Sequence, residues 1–119
     1  MKIILYIVAT LFLFLTISCV QKTKKRVVIY TVDISKMDSI KKVGIRGGDS
    51  LLFWQNDYLM KEILKDSLYQ VTIISETGRI CNEFKFSVNE NLELEGKENR
   101  KVYFDTKSDT TKVSFVFNK

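Results

Sequence analysis

The sequence predicts a small all-β domain, an antiparallel β-sandwich of seven or eight short strands, behind an N-terminal signal helix. Three observations carry that prediction. Apolar and polar residues alternate with period two in several short runs. Gly, Asn and Asp clusters separate those runs at the spacing of hairpins. The chain also opens with Lys2 and an apolar run, Ile3 to Leu15, that contains no charge, Gly or Pro.

That run is shorter than the roughly 20 apolar residues a spanning helix needs, and it fits a secretory signal core. It stops at Leu15-Thr16-Ile17-Ser18-Cys19. This segment resembles the lipobox of bacterial lipoproteins, of the Bacteroidota type, in which the Cys is acylated and the chain is cut before it. The resemblance implies that residues 1–18 are a signal peptide and that Cys19 carries the lipid. The domain is then expected in the cell envelope, tethered to membrane lipid through acylated Cys19 in the outer membrane, on its periplasmic side. The leader holds one of the 19 basic residues and none of the 14 acidic ones, so the remainder stays mildly basic. Lys22, Lys24, Lys25 and Arg26 follow Cys19 directly, so residues 19–26 read as a lipidated Cys and a basic linker whose charges meet anionic headgroups. A nucleic-acid partner is not expected, because the remaining charges are mixed along the chain instead of forming a basic stripe.

Residues 27–119 read as one domain, and about 100 residues bury enough surface for a single core. Val27 to Val32 is a β-branched and aromatic strand closed by Asp33. Asp33 to Ile40 is ambiguous, with Ser35 and Asp38 as candidate caps of one short helical turn. Lys41 to Arg46 is a half-buried strand with Val43 and Ile45 on one face, ended by Gly47-Gly48-Asp49. Leu51 to Asp57 is a connection rich in large apolar groups, and Tyr58 to Lys61 is a short strand.

Ser67 to Ile74 places Tyr69, Val71 and Ile73 on one face. After a turn at Thr77-Gly78, Asn82 to Asn89 sets Phe84, Phe86 and Val88 against Glu83, Lys85 and Ser87. Asn89-Glu90-Asn91 makes a hairpin, and Leu92 to Glu95 is a short strand piece. Val102 and Phe104 mark the next strand, Asp109-Thr110 a turn, and Val113, Phe115 and Phe117 the inward face of the last strand. This many short strands in one small domain fit an immunoglobulin-like sandwich.

Catalytic chemistry is not expected. The chain has no His, the commonest general base and zinc ligand. No Gly-rich loop lies between a strand and a helix, so a phosphate cradle is not expected. Glu93 and Glu95 read as alternating on a strand and sharing a face, the arrangement of a solvated edge. No cofactor or metal is expected. With Cys19 acylated, Cys81 has no disulfide partner and reads as a buried or half-buried small hydrophobe.

Four segments in order have a further resemblance. They are Val43-Gly44-Ile45-Arg46-Gly47, Leu52-Phe53-Trp54, Phe84-Lys85-Phe86-Ser87-Val88, and Leu94-Glu95-Gly96-Lys97-Glu98-Asn99-Arg100. Over residues 27–119 the pattern resembles starch- and glycogen-binding modules, which are immunoglobulin-like sandwiches. The resemblance implies that Trp54 stacks on a sugar ring, that Lys85 makes a polar contact beside it and that Asn99 hydrogen-bonds the ligand. The second stacking Trp of such modules falls on Leu92 or Leu94. Each residue also has a packing role open to it: Trp54 as a plug at one end of the sandwich, Asn99 as a strand start. Two functions follow as expectations. One is a membrane-anchored, non-catalytic lipoprotein with a weakly glycan-binding domain; the other is a subunit that binds another envelope protein through a sheet face or edge.

Overall fold

The computed structural model describes residues 1–14, 22–49 and 51–119; the acylation expected at Cys19 lies outside them. The apolar run forms helix α1 (Lys2–Phe14). At 1.5 Å per residue it is about 20 Å long, short of the roughly 30 Å hydrocarbon core. Among the described residues no helix is long and apolar enough to cross a membrane.

The rest is β structure in two facing sheets. One has the order β4 (Lys61–Leu64), β5 (Leu68–Thr77), β1 (Lys24–Asp33), β9 (Thr110–Val116). The other runs β3 (Tyr58–Leu59), β2 (Val43–Gly47), β6 (Cys81–Val88). The free edge of β6 pairs with both β7 (Asn91–Leu92) and β8 (Arg100–Tyr103). The alternating residues do what their period requires. Val28, Tyr30 and Val32 of β1 face Ile45, Phe84 and Phe86 of the other sheet in one buried core. The aromatic rings meet edge to face, with Tyr30 4.8 Å from Phe84, and Phe84 5.4 Å from Phe86 and 5.5 Å from Phe115. Phe104 and Phe117 are buried in the same core, and Val71 packs against its edge.

The structure corrects the reading at four places. Among the described residues all strand pairs but one are antiparallel; β9 returns from the opposite sheet and lies parallel to β1, with Val27 opposite Thr110 and Asp33 opposite Val116. Strand β1 starts at Lys24, inside the expected linker, because backbone pairing to β5 (Lys24 opposite Thr77) needs no apolar side chain. The residues after Asp33 form no helix: Asp33 Oδ1 accepts the Ser35 amide at 2.8 Å, and the Met37 amide closes one turn on the Ile34 carbonyl at 2.9 Å. Finally, Tyr58 to Lys61 is no single strand. Met60 is buried, its amide donates to the Val43 carbonyl at 2.9 Å, and there the chain passes from β3 in one sheet to β4 in the other.

Candidate functional site

The large apolar connection after β2 is built on a close approach. A Cβ on Gly47 would lie 2.6 Å from the Glu83 carbonyl oxygen, so only a glycine lets β2 run this near β6 before the chain turns away. The Leu52 amide then donates to the Asp49 carbonyl at 3.0 Å, and Leu52 drops into the core. Its neighbours Leu51 and Phe53 stay in solvent, Phe53 at 59% exposure. Arg46 ties the loop down from the outer face of the sheet. Its Nε donates to Asp57 Oδ1 at 2.6 Å and its Nη1 to the Trp54 carbonyl at 3.3 Å.

Trp54 is half-buried beside a groove of about 450 Å³ lined by Gly48, Arg79, Ile80, Cys81, Glu83 and Lys101 among others. Asn99 is exposed and its Nδ2 donates to Glu83 Oε2 at 3.4 Å, which brings it to the rim of this groove. Lys101 lies 3.8 Å from the other oxygen of Glu83. Half-buried Cys81 is a free thiol.

Lys85 does not join them. Alternation carries it to the outer face, opposite Arg46, but there residues 94–97 cover it. Its Nζ donates to the Leu94 carbonyl at 3.0 Å and the Lys97 carbonyl at 2.9 Å, and the residue is buried. Lys85 lines a separate groove with Glu90, Asn91, Leu92, Glu95 and Gly96. Trp54 and Asn99 therefore share a neighbourhood, and Lys85 serves as a pin for a loop. At the second stacking position Leu92 is exposed and Leu94 half-buried.

The reading of Glu93 and Glu95 as one solvated face is wrong. Glu95 is exposed, while Glu93 is fully buried. The chain leaves β7 after Leu92 and turns, with Leu94 at φ 51° and Gly96 at φ 73°, so the alternation that would place both carboxylates together ends there. Glu93 is held by Arg100, by the Phe86 amide at 2.7 Å and by the Asn118 amide at 3.1 Å, leaving no lone pair facing solvent for acid–base work. Nothing in the sequence short of the Arg seven residues on signals this.

The basic cluster also divides. Lys22, Lys24 and Lys25 are exposed, whereas Arg26 is engaged: its Nη1 donates to the Asp105 carbonyl at 3.0 Å and its guanidinium lies 5.3 Å from the Phe104 ring centroid. Among the described residues no three metal-ligating side chains come together. No protein-family model matches the chain, and no curated protein matches it.

Proposed function

We propose that this chain is a lipid-anchored, non-catalytic domain of the bacterial cell envelope, an immunoglobulin-like sandwich that works by surface contact at the end where the anchored segment enters. The observation that carries this reading is the exposure of Phe53 and Ile80, at 59% and 71%, on the two loops that flank half-buried Trp54. Large apolar groups on loop tips add nothing to the core and are suited to meeting a partner. The leader Lys2 to Ser18 followed by Cys19 supports the anchor. Intact-mass analysis of the protein extracted from membranes tests it: a chain that starts at acylated Cys19 is expected, and a soluble product starting elsewhere would sink the reading.

A second reading, weak glycan binding, is favoured by the groove itself, in which one aromatic, Trp54, sits with Glu83, Lys101 and Asn99 at its polar rim. Lys85 plays no part in this version of the site. Titrating the protein with a broad glycan panel while following Trp54 fluorescence separates the two. A saturable response lost in Trp54→Ala supports sugar, and silence across the panel leaves surface contact.

A further inference from the structure

The strand pairings gather several features at one end of the sandwich. Lys24 at the start of β1 lies opposite Thr77 at the end of β5. Gly47 at the end of β2 is paired with Phe84 near the start of β6, and Cys81 with Tyr103 at the end of β8. The Val27 amide donates to the Asp109 carbonyl at 2.8 Å, which places the loop before β9 at the same end. The chain thus arrives from Cys19 at the pole that carries Phe53, Trp54 and Ile80. Lys24 is the fifth residue after Cys19, so the two lie at most about 18 Å apart along the chain.

We propose that this pole docks on the bilayer surface, with Phe53 and Ile80 entering the interfacial layer and Lys22, Lys24, Lys25 and Arg79 lying against anionic headgroups. The proposal rests on the anchored reading and names the partner of its surface. A tether this short keeps the pole within reach of the lipid that holds Cys19, so the local concentration of bilayer is high without any further affinity. Exposed apolar side chains ringed by cations are what an interfacial site requires, and the half-buried Trp54 has the amphipathic ring favoured at headgroup depth. Opposing charge is present: Glu76, Asp105 and Asp109 are exposed at this end and Glu83 lies by the groove. Asp105 Oδ1 accepts the Lys107 and Ser108 amides at 2.7 and 3.1 Å, and Glu83 faces Lys101, so two of these carboxylates have local cationic or amide partners. Lys25 lies opposite Glu76 across β1 and β5, and all three lysines at the tether are exposed.

Trp54 is the only Trp in the chain and reports on this pole alone. The full chain purified from membranes is reconstituted in phosphatidylcholine vesicles with and without phosphatidylglycerol, with bromine on the acyl chains as quencher. Docking predicts blue-shifted, quenched Trp54 emission in the phosphatidylglycerol vesicles that weakens with salt. Reversing Lys24 or Lys25 to Glu should cut the ratio of docked to free pole about fivefold or more per position. Phe53→Asp with Ile80→Asp should abolish the quenching, and both side chains are exposed, so circular dichroism should show an unchanged fold. Unquenched Trp54 in acylated protein would overturn the proposal and return the patch to a protein partner. Intact mass on the same sample keeps the two ideas apart, since quenching with an unmodified Cys19 would sink the anchor and leave the docking surface.

Discussion

Glu93 and Arg100 hold one another with two parallel bonds beneath the rings of the core. Arg100 Nε donates to Glu93 Oε2 and Nη2 to Oε1, both at 2.8 Å, and the carboxylate side chain is fully buried. The guanidinium lies 4.8 Å from the Phe115 centroid and 5.8 Å from that of Phe86, and its Nη2 also donates to the Val116 carbonyl at 3.0 Å. One pair therefore ties the turn after β7 to β6, β8 and the end of β9.

Removing one partner leaves the other charged and buried, so Glu93→Gln is expected to cost about 3–5 kcal/mol in urea unfolding. Replacing both, by Glu93→Met with Arg100→Leu, should recover part of that loss but not all. The buried Phe86 amide would still lose its acceptor, at about 1–3 kcal/mol, and the part-buried Asn118 amide would lose its own. A double variant weaker than Glu93→Gln would contradict this account.

The same region marks where sequence patterning stops being informative. Period-two runs such as Phe84-Lys85-Phe86 name their inward residues because one face of a strand is apolar, and all of Val43, Ile45, Ile73, Phe84, Phe86, Phe104 and Phe117 are buried. The outward face carries no such rule. Whether Lys85 meets solvent or a loop depends on residues 94–97, which have no periodicity, and Glu93 is buried by partners far along the chain and across a sheet. Trp54 and Asn99 stand out in the sequence only through the resemblance, and the apolar pole of Phe53 and Ile80 emerges only once the strand ends are brought together.

Lys85 gives a second prediction. As a pin, Lys85→Met should free the Lys97 carbonyl and leave the Leu94 carbonyl with the Lys97 amide alone, lowering stability by about 1–3 kcal/mol and speeding proteolysis within residues 94–97. Any response of Trp54 to glycans should be unchanged, because the two residues line different grooves. A lost glycan response with an intact 94–97 loop would instead restore Lys85 to the ligand.

Gly47 is fixed by backbone rather than by a side chain that could swing away. Its missing Cβ would meet the Glu83 oxygen at 2.6 Å, Leu52 at 3.1 Å and Phe84 at 3.2 Å. Gly47→Ala must push β2 from β6 and is expected to destabilise by about 1–3 kcal/mol. It should also loosen Leu52 and with it the Trp54 loop, visible as red-shifted Trp54 emission before unfolding. An alanine variant with wild-type urea midpoint and emission would show that the strands can separate freely.

Tyr30 sets the alkaline limit of the fold. It is fully buried with its hydroxyl accepting Asn82 Nδ2 at 3.4 Å, and burial pushes its pKa from 10.0 up to about 12. In the unfolded chain the phenol loses its proton near pH 10, while in the folded chain it keeps it to about 12. Between those values the unfolded state binds fewer protons, so stability falls as pH rises, by about 1.4 kcal/mol per unit and roughly 3 kcal/mol in all. The contribution is fully present below pH 10.0 and exhausted once pH passes the folded value of about 12. Lysines also lose charge in this range, so the measurement is a comparison: urea unfolding of wild type and Tyr30→Phe from about pH 9 to about pH 11.5. Tyr30→Phe should cost about 1 kcal/mol at the lower pH, for the hydroxyl left out of its contact with Asn82, and should gain on the wild type as pH rises. If the two stability curves run parallel across the whole range, Tyr30 ionises alike in both states, and its enclosure between the sheets is looser than the 4.8 Å contact with Phe84 requires.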